Sequence, residues 1–148
     1  MNLTLSECIN FLLNSSQNAV SLYLKQELQQ FNVTPAQYAL LKCLWEKNEQ
    51  TPSQLATALH LDSSTITGIL ARLEEKKLVS RNFCATDRRR IIVCLTEDGW
   101  KLQPPIEELI DRVNERVTVD IPRDELLYLK DQLRLITRNA ESLLANNN

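Results

Sequence analysis

LDSSTITGILARLEEKKLVSR (61–81), closed by DRRRIIVCLT (87–96), is the stretch that decides the fold. Asp62 and Ser63 are N-cap residue types standing just before an apolar-periodic run. Ile66, Ile69, Leu70 and Leu73 recur at the spacing of one buried helical face. The opposite face carries Ser64, Thr67, Gly68, Ala71 and Arg72, all small or hydrogen-bonding apart from the arginine. A helix lying in a groove about 12 Å wide needs such a slim face with short polar groups. A solvent-exposed amphipathic helix explains Glu74, Glu75, Lys76 and Lys77 equally well, so the helix by itself leaves both readings open.

The segment after it separates them. Leu78-Val79-Ser80-Arg81 and Ile91-Ile92-Val93-Cys94-Leu95 read as strands, with Asp87, Arg88, Arg89 and Arg90 at the tip between them. Three adjacent arginines repel one another and add nothing to a core, whereas a narrow minor groove attracts inserted arginine. Asp87, two residues before Arg89, is placed to orient its guanidinium. Residues 63–90 hold seven Lys/Arg against three acids, net +4, and the rest of the chain 10 against 16, net −6. Positive charge gathered on one module is the footprint of a nucleic-acid binder.

With these residues the chain resembles the MarR family of transcriptional regulators. The helix segment 61–81 and the wing signature D-x-R-x5-L-T (Asp87, Arg89, Leu95, Thr96) carry the resemblance, which extends over essentially all 148 residues. It implies a mainly α fold: a winged helix-turn-helix with N- and C-terminal dimerisation helices and a two-stranded wing. The expected division is 1–30 and 104–145 for dimerisation, 31–103 for the DNA-binding lobe and 146–148 as a frayed tail.

The flanking sequence fits. With 43% hydrophobic residues the chain is neither disordered nor membranous, and no apolar run reaches the ~18 residues of a membrane span. Its start, MNLTLSECINFLL, lacks the features of a signal peptide, so a cytoplasmic protein is expected. Two glycines and abundant helix formers predict mostly helix. Residues 3–30 read as one long helix with two apolar stripes, one through Leu5, Ile9, Leu12, Ala19 and Tyr23, the other through Leu13, Val20, Leu24 and Leu28. Thr34-Pro35-Ala36-Gln37 and Thr51-Pro52-Ser53-Gln54 are capping boxes with proline at the first helical position. The second opens the first helix of the helix-turn-helix, where Ser53 and Gln54 stand ready for a phosphate; ordinary capping explains Thr51. Thr96-Glu97-Asp98-Gly99 caps another helix, and Pro104-Pro105 demands a kink or restart. After Pro122, the seam Leu126, Leu129, Leu133, Ile136, Ala140 and Leu143 has coiled-coil spacing, expected to pair two copies in a homodimer, with a folded-back monomer as the alternative.

Neither a Gly-rich phosphate loop, a nucleophile elbow nor an HExxH motif is present, so no catalytic residue is assigned and an enzyme is not expected. Lone His60 is a poor metal candidate, and Cys8, Cys43, Cys84 and Cys94 lack CxxC spacing, so neither metal nor cofactor is expected. Cys43 and Cys94 read as small core hydrophobes, and Cys84 as a thiol whose only activating neighbours are the arginines. Cys8 invites comparison with the peroxide-sensing branch of the family. Aligned on that branch, however, the sensing position falls on Asn10, and Pro35 replaces one helper tyrosine while Tyr38 matches the other.

The expected function is a dimeric, sequence-specific DNA-binding transcriptional repressor. Ser63, Ser64, Thr65, Thr67 and Arg72 would reach bases or phosphates in the major groove, with Arg89 in the minor groove and Arg88, Arg90 and Arg81 on the backbone. The partners are then double-stranded DNA and a second copy, and no membrane. The resemblance further implies release by a small aromatic or anionic effector bound between dimerisation helices and lobe, where Tyr38, Trp45 and Trp100 are candidates; plain core aromatics would look the same, and Trp45 is read as core. Two alternatives stand beside this reading: a thiol-based redox regulator of the same fold acting through Cys8, and a winged-helix protein–protein interaction module without DNA binding.

Overall fold

A computed structural model describes residues 3–146. These residues fall into two compact units, up to Val113 and from Asn114 onward. The first unit begins with a 3-10 turn, Leu5–Glu7, and then α1, Ile9–Leu28. The single helix expected from residue 3 is therefore broken. Glu7 turns back to accept hydrogen bonds from the Thr4 amide (2.9 Å) and hydroxyl (2.8 Å), closing the turn on itself. Cys8 follows with extended backbone (φ −73°, ψ 118°), so it is the N-cap of α1 rather than a residue within it. At the other end α1 tightens into a second 3-10 turn, Gln29–Phe31, stopped by Asn32 in the left-handed conformation at φ 54°.

Both capping boxes form. Thr34 starts α2 (Pro35–Glu46) and Thr51 starts α3 (Pro52–Leu59), each exchanging hydrogen bonds with the glutamine three residues on. His60, left-handed at φ 53°, makes the turn into α4, Ser63–Glu75. β1 (Val79–Phe83) and β2 (Ile91–Leu95) pair antiparallel, Val79 opposite Leu95 and Phe83 opposite Ile91. A single bridge from Gln50 to Val93 ties β2 to the α2–α3 link. α5 (Glu97–Lys101) and α6 (Gln103–Val117) follow, and the restart demanded by Pro104-Pro105 falls at Gln103, leaving both prolines in the first turn.

Ile66, Leu70 and Leu73 of α4 are fully buried with Leu40, Leu41 and Leu44 of α2, Leu55 of α3, Val93 of β2, and Ile106 and Leu109 of α6. Burying each such side chain contributes roughly 1.5–3 kcal/mol, so this cluster fixes how α4 sits on the lobe. Gly99 closes the base of the wing. Its N–H is capped by the Thr96 hydroxyl (3.1 Å), and its carbonyl accepts the Trp45 indole N–H (3.0 Å).

From Asn114 onward the second unit comprises the end of α6, a turn through left-handed Asp120 (φ 67°), and α7, Arg123–Asn146. No α7 side chain is buried. Of the expected tail, Asn146 ends α7, while Asn147 and Asn148 lie outside the described residues.

Asp62 makes the α4 N-cap pH-sensitive. It accepts hydrogen bonds from the Thr65 amide (2.8 Å), the Ser64 hydroxyl (2.7 Å) and the Thr65 hydroxyl (2.9 Å). These bonds hold its carboxyl well down, at about 2 against an ordinary 3.8. Because the folded value lies below the unfolded one, the stabilisation is complete above about pH 4 and disappears as the pH falls toward 2. Melting curves of the wild type and Asp62→Ala should therefore differ at pH 5 and converge by pH 2. A difference that persists undiminished at pH 2 would mean that the ionised carboxylate is not what stabilises the cap.

Candidate nucleic-acid interface

The face of α4 opposite the core is open. Ser63, Ser64, Thr65, Thr67, Gly68 and Arg72 are all exposed. The first hydroxyls already have partners in the free chain: Ser64 and Thr65 donate to Asp62, and Thr67 donates to the Ser63 carbonyl (2.8 Å). A hydroxyl that donates keeps its lone pairs free to accept, so these groups remain usable by a ligand. Gly68 is unusual. A Cβ built there would meet nothing within 4 Å, so no protein neighbour explains a glycine in mid-helix. Ser53 of α3 shares a shallow groove with Ser63 and Thr67, while the Gln54 side-chain carbonyl is held by the Thr51 amide (2.9 Å).

The wing tip departs from expectation. Asp87 does bond Arg89, but through the main-chain N–H of Arg89 (3.0 Å) rather than its guanidinium. The Asp87 carbonyl also accepts from the Arg90 N–H (3.0 Å). Asp87 therefore shapes the turn that presents Arg88, Arg89 and Arg90, all exposed, instead of steering one side chain. Arg81 also has a partner close at hand. Its guanidinium lies 2.5 Å from the Glu74 carboxylate, joining the base of the wing to the last turn of α4. The pair is partly exposed and contributes at most about 1 kcal/mol, so it leaves Arg81 open to exchange Glu74 for another anion. Cys84 beside the tip has its thiol lowered chiefly by the hydrogen bond it shares with the Thr86 hydroxyl (3.2 Å), with the amides of Thr86 and Asp87 next and Arg90 last. The arginines are thus the smallest influence on it.

Comparison with known proteins places this arrangement. The MarR family model matches residues 33–91, from the link just ahead of α2 to the first residue of β2. The HTH-type transcriptional regulator FarR of Neisseria gonorrhoeae is 30% identical over 135 residues, 91% of this chain and 92% of that one. The chain belongs to the MarR family. The organic hydroperoxide resistance transcriptional regulator of Bacillus subtilis is 37% identical over 93 residues, which span 63% of each chain. Among solved structures, CouR from Rhodococcus jostii RHA1 bound to p-coumaroyl-CoA is 28% identical, with a TM-score of 0.80 over 91% of this chain and 96% of that one.

Within this MarR-family chain, two of the three candidate effector aromatics come together. Tyr38 and Trp45 have ring centroids 6.4 Å apart, tilted by 52°. Trp45 is a core side chain, 6% exposed and hydrogen-bonded to Gly99, whereas Trp100 on α5 is 41% exposed. Burial raises the Tyr38 hydroxyl above its ordinary value. Sequence reasoning missed two buried polar side chains. Gln50 donates to the Cys43 (3.0 Å) and Lys47 (2.6 Å) carbonyls, and Gln37 accepts both the Thr34 amide (3.2 Å) and the Lys76 ammonium (2.8 Å). The capping box signals the Thr34 bond of Gln37; nothing in the sequence signals the bond to Lys76, 39 positions away.

Proposed function

We infer that this protein is a transcriptional repressor that binds duplex DNA as a homodimer and is released by a small anionic effector. The reading is carried by one observation: the open, small-residue face of α4 beside a wing tip of three exposed arginines. Each protomer lays α4 in a major groove and puts Arg89 into the flanking minor groove, with Arg88 and Arg90 on phosphates. Two such lobes call for a pseudo-palindromic site with half-sites about one helical turn apart. Dimerisation is supported by apolar side chains left open on α1 and α7, among them Ile9 (55% exposed), Leu12 (44%) and Leu129 (42%). Ligand control is supported by CouR, a 28% identical relative whose structure holds p-coumaroyl-CoA. Selection of bound duplexes from a random pool, followed by footprinting, tests the core of this. Two related half-sites centred about ten base pairs apart are expected; no enrichment at low salt would overturn it.

Gly68 sharpens the test. In a free helix, glycine to alanine gains about 0.8–1 kcal/mol per site, and the open space at Gly68 lets that gain be realised. If DNA approaches the backbone there, the same methyl group obstructs it. Gly68→Ala should therefore raise the melting temperature while weakening operator binding about tenfold, read by calorimetry and fluorescence anisotropy. A variant that is both more stable and equally tight would place the DNA elsewhere.

A further inference from the structure

At the base of the wing, Arg81 Nη2 lies 2.5 Å from Glu74 Oε2. Arg81 stands opposite Val93 in the β1–β2 ladder, and residues directly opposite each other share one face. Val93 is fully buried, so Arg81 leaves β1 on the side that faces the lobe and meets the last turn of α4 there.

The ion pair is not what holds that turn. The Lys77 amide donates to the Glu74 carbonyl (2.8 Å) and the Leu78 amide to the Leu73 carbonyl (2.9 Å), through left-handed Lys77 at φ 58°. Leu73, Leu78 and Val79 are buried on either side of it. Main chain and core thus set the angle between α4 and β1. The Arg81 and Glu74 side chains, 35% and 28% exposed, are left to respond to what approaches.

Three acids stand among residues 63–90, the segment that concentrates the positive charge. Asp87 turns its carboxylate to the Arg89 main chain, whereas Glu74 turns its carboxylate to a cation. That cation lies between α4, read as the major-groove element, and the wing tip, read as the minor-groove element. A sugar-phosphate strand separates adjoining grooves, so a phosphate is the anion that Arg81 meets on docking. A guanidinium grips a phosphate with the same forked donors that it offers a carboxylate.

We propose that Glu74 is a built-in counter-anion of Arg81 that sets how strongly the protein holds DNA phosphate. The phosphate displaces the carboxylate from the guanidinium, and the displaced negative charge stays beside it. The proposal rests on the DNA-binding reading above. The pair carries no net charge, so its arrival at a phosphate releases no counterion, and the sequence-independent part of binding is held down. A phosphate contact carries no sequence information, so operator and unrelated duplexes are held down alike.

Anisotropy across a salt series, on the selected operator and on an unrelated duplex of equal length, tests this with the full charge cycle. Glu74→Gln is nearly isosteric and should leave the melting temperature close to that of the wild type. It should bind both duplexes about tenfold more tightly near ~0.1 M salt, and steepen the slope of log affinity against log salt by about 0.9 per protomer. Arg81→Gln should flatten the slope by a similar amount, which keeps the pair testable if Glu74→Gln fails to fold. The double variant Glu74→Gln, Arg81→Gln replaces one neutral pair by another and should return the slope to the wild-type value. A merely structural pair gives a different pattern: either single loss would loosen α4, weaken the operator alone and leave the slope as it was. That pattern overturns the proposal, as does wild-type affinity and slope in Glu74→Gln. If the wild type itself binds neither duplex at low salt, the DNA-binding reading falls and this inference with it. Binding by the wild type with no response to Glu74→Gln sinks the inference alone.

Discussion

Arg89→Ala is expected to lower operator affinity by about two orders of magnitude while leaving the fold intact. Arg89 is open to solvent at the wing tip, so its side chain makes no contribution to the core that truncation could remove. Taking an arginine out of a narrow minor groove costs about 1–3 kcal/mol of binding, and a dimer bears that cost twice. Every phosphate that the protein no longer neutralises should also reduce the slope of log affinity against log salt by about 0.9. Anisotropy titrations across a salt series read both numbers. Asp87 supplies an internal control. It bonds the Arg89 main chain, so Asp87→Ala should loosen the turn and weaken binding less than Arg89→Ala, while Asp87→Asn, which still offers an acceptor oxygen, should retain most of the affinity. Unchanged affinity and slope in Arg89→Ala would take the wing out of the interface and leave its three arginines without a role on DNA.

The parts of this protein that were legible in the sequence are those written in local grammar. Thr34, Thr51, Asp62 and Thr96 all stand where capping side chains belong, and each accepts the expected main-chain bond. The apolar period of α4 named Ile66, Ile69, Leu70 and Leu73, and all four are buried. What escaped was decided by geometry with no local signature. The break at Cys8 follows from Glu7 folding back on Thr4, although the apolar period runs straight through it. The pairing of Arg81 with Glu74 joins residues seven positions apart across a helix-to-strand turn, so neither helical nor strand spacing announces it. Lys76 looked like an ordinary surface lysine at a helix end, yet its stem reaches the α1–α2 joint. At the wing, the sequence placed Asp87 beside Arg89 correctly but could not say which of Arg89's donors it would meet. The short carboxylate side chain finds the main-chain amide first, as Asp does in many turns.

Gly99→Ala should be the most damaging single methyl in the lobe. A Cβ there would lie 2.2 Å from the Leu78 carbonyl oxygen and 3.1 Å from Leu95 Cδ2. The first clash is with main chain, so no rotamer change relieves it; the β1 entrance or α5 has to move. Movement of α5 in turn stretches two bonds that converge on this residue, the Trp45 indole on its carbonyl and the Thr96 hydroxyl on its amide. The Thr96 hydroxyl itself donates to the Lys77 carbonyl (2.6 Å) just ahead of β1, so the strain passes directly into the base of the wing. Overpacking of this kind is worth about 1–3 kcal/mol, and loosening a buried indole N–H adds about 1 kcal/mol or more. A total destabilisation of roughly 3 kcal/mol is therefore expected, read as a lowered urea midpoint with an unchanged slope. Trp45 reports on the same event, because its fluorescence maximum should shift to the red as its N–H leaves the Gly99 carbonyl and meets water. Gly68→Ala, the same chemical change in an open position, should move stability in the opposite direction. Two glycines thus make a matched pair, one required by the protein's own packing and the other free of any such demand, which the proposed DNA interface would supply. If both substitutions proved equally mild, the close approach of Leu78 to Gly99 would not be a constraint on the fold.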